Sequence, residues 1–87
     1  MPRIEKTIVV RTKLGLHARP AAMFVQVANK YTSTVVIRKG AEEVNGKSIM
    51  GILMIGADYG SELTMIVEGD DAEKMFAELE AYLAKED

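Results

Sequence analysis

The one histidine of this chain, His17, stands in Leu14-Gly15-Leu16-His17-Ala18-Arg19-Pro20-Ala21-Ala22, and the rest of the sequence reads as a scaffold for it. Before it, Ile4 to Val10 is rich in β-branched residues; after it, Ala21 to Lys30 is rich in helix formers. That handover places His17 at or near a helix N-cap. Proline has no backbone donor and is tolerated only in the first turn of a helix, so Pro20 fixes the start to within a residue or so. A helix N-terminus presents unpaired N–H groups and a partial positive charge, and Arg19 adds a formal one. An anion carried on the imidazole would therefore be held from several directions. A free ring nitrogen facing such a site is what reversible phosphorylation on nitrogen requires. A lone histidine near a helix start commonly serves as a plain polar cap. Here Gly15 permits a sharp turn, and Ala18, Ala21 and Ala22 keep the surroundings free of bulk, which favours the chemical reading.

A second stretch carries chemistry of another kind. Gly46-Lys47-Ser48 has the ending of a phosphate-binding loop, but that motif needs a glycine where this chain has Ala41. Ser48 is instead a good N-cap for a helix that follows. In Ser48 to Ile55 most residues are large and apolar. At 100° per residue Ile49, Met50 and Leu53 share one arc, and Ile52 and Ile55 a nearly opposite one, with Met54 on the far flank of the first. A short helix cannot bury both arcs in so small a domain. One is expected to be exposed, and an apolar patch holding flexible methionine suits docking of several partners.

Length and composition bound the rest. A chain of 87 residues is one domain, 1–87, with a small core, and 48% hydrophobic residues suffice for it to fold unaided. The absence of cysteine excludes disulfides and thiolate metal sites, and a single histidine leaves no ligand cluster, so neither metal nor cofactor is expected. Eleven basic against thirteen acidic residues give a net charge of −2, and aromatic residues are not interleaved with basic clusters, which argues against nucleic acid. Met1 to Lys6 has no apolar signal core and no run approaches a membrane span; a soluble cytoplasmic protein is the expectation.

The elements that must position His17 follow from periodicity. Residues 4–10 read as a strand and 18–30 as a helix burying Ala21, Phe24, Val25 and Ala28. Val35 to Arg38 and Glu42 to Val44 are strands either side of a turn, the second expected near a sheet edge. Residues 48–55 form the short helix, with Gly56 its terminator. Glu62 to Glu68 alternates as a half-buried strand. The last helix buries Ala72, Met75, Phe76, Leu79, Tyr82 and Leu83, with Asp70 expected as its cap and Glu73 at capping-box spacing. The order β-α-β-β-α-β-α predicts an α+β open-faced β-sandwich: one four-stranded antiparallel sheet with three helices on one face.

Leu-Gly-Leu-His-Ala-Arg-Pro-Ala, followed by Gly46-Lys47-Ser48-Ile49-Met50-Gly51 at matched spacing, closely resembles the histidine-containing phosphocarrier protein (HPr) of the phosphoenolpyruvate-dependent sugar phosphotransferase system. The likeness covers nearly the whole chain. It implies a carrier rather than an enzyme. His17 would accept a phosphoryl group from enzyme I on Nδ1 and pass it to an enzyme IIA domain, with Arg19 assisting transfer. Ser48 matches a serine phosphorylated in some bacteria by an ATP-dependent HPr serine kinase/phosphorylase. Ile49, Met50 and Leu53 match exposed docking residues, and a monomer is expected. The sequence departs from the pattern at Leu14, where many members carry a small polar residue, and at Gln26 and Asn29, where some have lysines. These departures leave open a regulatory paralogue, of a nitrogen-related or incomplete phosphotransferase system.

Overall fold

The computed structural model describes residues 1–13 and 15–85; the departure expected at Leu14 lies outside the described residues, as do Glu86 and Asp87. Seven elements follow in order: β1 (Arg3–Val9), α1 (Ala18–Ala28), β2 (Thr34–Lys39), β3 (Glu42–Asn45), α2 (Ile49–Met54), β4 (Glu62–Glu68) and α3 (Ala72–Leu83). The strands form one antiparallel sheet in the order β1-β4-β2-β3, with the three helices over one face. β4 is central and pairs Leu63 with Ile8, and Met65 with both Lys6 and Ile37. Its alternation sorts Leu63, Met65 and Val67 into the core, where they are fully buried. β3, the short strand poor in apolar residues, lies on an edge as its composition suggests.

Each helix buries the stripe its sequence marks. In α1 the buried residues are Ala21, Phe24, Val25 and Ala28; in α3 they are Ala72, Met75, Phe76, Leu79 and Leu83, while Tyr82 is only partly covered. Lys6 keeps its ammonium on the helix side of β1, 5.7 Å from the Phe76 ring centre and 3.9 Å from Glu80. The other face of the sheet stays open to water. There Glu5 takes Arg3 at 2.9 Å and Arg38 at 3.2 Å, and its carboxyl is held below the usual range, chiefly by the Arg3 hydrogen bond.

The start of α3 differs from the expectation. Its N-cap is Asp71 rather than Asp70, and the Asp71 side chain does not cap the helix. Gly69, Asp70 and Asp71 form a turn closed by the Ala72 N–H on the Gly69 carbonyl at 3.2 Å, so the helix begins one residue later. The carboxylate is engaged elsewhere: it accepts the backbone N–H groups of Thr32 and Ser33, each at 2.9 Å, and the Ser33 hydroxyl. These bonds, the Ser33 hydroxyl first, draw its pKa down to about 2 and tie the α1–β2 turn to α3. Further along α3, Glu78 takes Lys30 and the Tyr31 hydroxyl, lowering its own pKa through Lys30 first and raising that of Tyr31.

Candidate functional site

The loop between β1 and α1 is sewn down at Val10, Arg11, Thr12, Gly15 and Leu16. The Val10 N–H donates to the Ser61 carbonyl at 2.9 Å, the Gly60 N–H to the Val10 carbonyl at 2.8 Å, and the Arg11 N–H to the Leu83 carbonyl at 3.3 Å. Thr12, though polar, is buried; its hydroxyl donates to the Gly15 carbonyl, and the Gly15 N–H returns to the Thr12 carbonyl at 3.0 Å. Gly15 has φ +71°, and a Cβ there would lie 2.5 Å from the Ala57 carbonyl oxygen. Only glycine fits both constraints. Leu16 then drops into the core and its N–H meets the same Ala57 oxygen at 2.8 Å.

This anchoring delivers His17 to the N-cap of α1, with extended backbone (φ −81°, ψ −168°) and an exposed side chain. Its carbonyl accepts the Ala21 N–H at 2.9 Å, but its ring makes no capping bond, which leaves both ring nitrogens available. Pro20 has no donor to offer, so the unpaired N–H groups of this helix start are those of Ala18 and Arg19, directly beside the imidazole. Arg19 is exposed, and among the described residues its guanidinium has no ion-pair or hydrogen-bond partner. His17 and Arg19 line one open concavity of about 640 Å³ together with Thr12, Met23, Tyr82 and Lys85. The last four were not singled out by the motif. Tyr82 and Lys85 reach the site only because the tertiary fold brings the end of α3 against the start of α1, a proximity no local pattern encodes.

Ser48 is the N-cap of α2, and its Oγ accepts the Gly51 N–H at 3.1 Å. Gly51 is there because of a close approach: a Cβ would stand 3.1 Å from the Asn45 carbonyl oxygen and 3.2 Å from Val44 Cβ. The helix is thereby pressed onto β3, which settles which of its arcs is buried. Ile52 is fully buried and Ile55 nearly so, whereas Ile49, Met50 (66% exposed), Leu53 and Met54 (73%) stand in solvent. Met54 is thus the most exposed member of the patch and extends it beyond the arc expected. Among the described residues no group of three or more His, Cys, Asp or Glu is placed to hold a metal ion, and no helix is long and apolar enough to cross a membrane.

A four-stranded open sandwich that holds one uncapped imidazole in the open, at a helix start with a free arginine, defines a small domain suited to bearing a phosphoryl group rather than turning over a substrate. The family described as "PTS HPr component phosphorylation site" matches residues 4–85. The chain belongs to the HPr family, a family of phosphocarriers and not of catalysts. Among its relatives, the HPr-like protein Crh of Halalkalibacterium halodurans is 46% identical over 83 residues, covering 95% of this chain and 99% of that protein. The crystal structure of phosphocarrier protein HPr from Bacillus anthracis superposes with a TM-score of 0.91 at 43% identity, covering 95% and 99% of the two chains. The crystal structure of Bacillus subtilis Crh, a dimer with a swapping domain, matches with a TM-score of 0.76 at 44% identity over 92% of each chain. The relatives therefore give no support to the expectation of a monomer.

Proposed function

We propose that this chain is a cytoplasmic phosphocarrier that accepts a phosphoryl group on His17 Nδ1 from enzyme I, charged by phosphoenolpyruvate, and passes it to an enzyme IIA domain of a sugar phosphotransferase system. The observation that carries this reading is the exposed, uncapped His17 ring beside two unpaired backbone N–H groups and the free Arg19 guanidinium. In the transfer the Nδ1 lone pair forms the new bond to phosphorus as the donor's bond to phosphorus breaks, its electrons staying with the donor. The proton on Nε2 stays in place, so the ring gains a positive charge that offsets part of the charge of the phosphoryl group. Arg19 and the Ala18 and Arg19 N–H groups hold the phosphoryl oxygens while the two proteins align. The exposed arc of α2, with Ile49, Met50 and Leu53 at its centre, is the docking surface for both partners.

Ser48 is the regulatory position in this proposal. A phosphate there, added by an HPr serine kinase/phosphorylase, would replace the capping hydroxyl at a helix start and set about two negative charges at the border of the apolar patch, blocking one partner and recruiting another. A second reading, a regulatory paralogue that signals through Ser48 and the apolar patch, is favoured by the likeness to Crh and opposed by the presence of His17. Incubation with phosphoenolpyruvate and the cognate enzyme I, followed by intact mass, separates the two. The carrier gains one acid-labile phosphate that His17→Ala abolishes. No gain in a folded protein, with an enzyme I competent toward another acceptor, refutes the carrier and leaves the paralogue.

A further inference from the structure

We propose that Lys85 is a second cationic contact for the phosphoryl group on His17, a contact that holds the group in the carrier and sets how readily it is surrendered; this rests on the reading of His17 as the phosphorylated residue. Lys85 stands just past the C-cap of α3, Ala84, and its N–H donates to the Tyr82 carbonyl at 3.3 Å. The chain is thus held close to the end of the helix, and the Lys85 side chain lines the same concavity as His17 and Arg19.

Three features make this a site for an anion rather than a solvated helix end. Among the described residues, none that lines the concavity is a carboxylate. Lys85 and Arg19 are both exposed, and among the described residues neither has an ion-pair partner. And the two cations come from opposite ends of the chain, so the fold itself assembles like charge around one imidazole. Like charges left unpaired around one concavity repel one another until an anion enters. A phosphoryl group carries enough negative charge to satisfy both. Arginine offers a fixed fork to two oxygens, and lysine a mobile point charge on a flexible stem that follows the group as a partner docks. Met23 and Tyr82 supply partly apolar walls beside them.

The test compares wild type with Lys85→Gln, Lys85→Arg and Lys85→Glu, each phosphorylated by phosphoenolpyruvate and a catalytic amount of enzyme I at a fixed ratio of phosphoenolpyruvate to pyruvate. Intact mass gives the equilibrium phosphorylated fraction, and the phosphorus NMR resonance followed against pH gives the protonation of the phosphoryl oxygens. Lys85→Gln is expected to lower the equilibrium constant roughly 3- to 5-fold, the scale of an exposed charge pair, with Lys85→Glu lower still and Lys85→Arg close to wild type. In Lys85→Gln the phosphoryl group takes its proton at a higher pH than in wild type, because a stabilising cation is gone. A lysine that merely complements the C-terminal end of α3 would change the melting of phosphorylated and free forms alike and move neither readout. Coincident equilibria and phosphorus titrations for wild type and Lys85→Gln overturn the proposal. A wild-type chain that takes no phosphate overturns the reading of His17, and this proposal with it.

Discussion

Gly15→Ala tests whether the loop under His17 is held as tightly as its contacts indicate. Two costs combine at this position. An alanine at φ +71° occupies the left-handed region at about 1–2 kcal/mol. Its Cβ would also stand 2.5 Å from the Ala57 carbonyl oxygen and 2.9 Å from Asp58 Cα, both backbone atoms that cannot swing aside. Relieving that clash moves the Ala57 carbonyl away from the Leu16 N–H, now at 2.8 Å, and forfeits a bond worth about 0.5–1.5 kcal/mol net. The sum is roughly 2–3 kcal/mol, which for a domain of this size lowers the melting temperature by about 10–20 °C. Gly40→Ala is the matched control: φ is +60° there, but nothing lies within 4 Å of the added Cβ, so only the backbone term of about 1–2 kcal/mol applies. Urea and thermal unfolding followed by circular dichroism measure both. Equal losses in the two variants would refute the tight contact between Gly15 and Ala57, and with it the account of how His17 is positioned.

The two arcs of α2 give a second contrast. Met50→Glu changes a largely exposed residue and should alter stability by no more than about 0.5 kcal/mol while weakening partner binding, whereas Ile52→Ala empties a fully buried position and should cost about 2–5 kcal/mol; equal stability losses would place Met50 in the core. Acid titration probes the clamp between the α1–β2 turn and α3. The Asp71 carboxyl titrates at about 2 in the folded chain against an ordinary 3.8, so its contribution is fully present above about pH 4 and is lost as pH falls through 2. The gap in melting temperature between wild type and Asp71→Asn should therefore be constant near neutrality and close between about pH 4 and pH 2; a gap unchanged over that interval refutes the clamp.

Much of this architecture could be read from residue order, because local patterns and tertiary packing agree in most elements. The stripe of α1 and the alternation of β4 each named their buried residues, and Ser48 marked a helix start through capping chemistry that acts within three residues. What escaped the sequence is non-local. The order β1-β4-β2-β3 sets a strand from one end of the chain beside one from the other, and periodicity carries no signal for that adjacency. A spacing rule puts the cap of α3 on Asp70, because two adjacent aspartates look alike to it. What distinguishes Asp71 is the pair of N–H groups from Thr32 and Ser33, which lie 39 and 38 residues away in sequence. The same limit hid Lys85 and Tyr82, whose places beside His17 exist only once α3 has packed against α1.

The openness of the site follows from what a carrier must do. An enzyme gains by enclosing its reacting atoms, since excluding water strengthens every charge contact around them. A carrier must present one nitrogen to two proteins in turn, each of which brings its own reacting group in line with phosphorus, so walls that enclose the imidazole would bar both. Rigidity therefore has to come from beneath. Val10, Arg11, Thr12, Gly15 and Leu16 bind the loop by hydrogen bonds to one another, to the 57–61 segment and to the end of α3, and the ring itself is left with no bond that a transfer would have to break. In the proposed carrier, the exposed cations on α1 and past α3 give the phosphoryl group partners without a lid. A fixed platform with a free reactive tip is the arrangement that the proposed role asks for, one histidine being acceptor in one encounter and donor in the next.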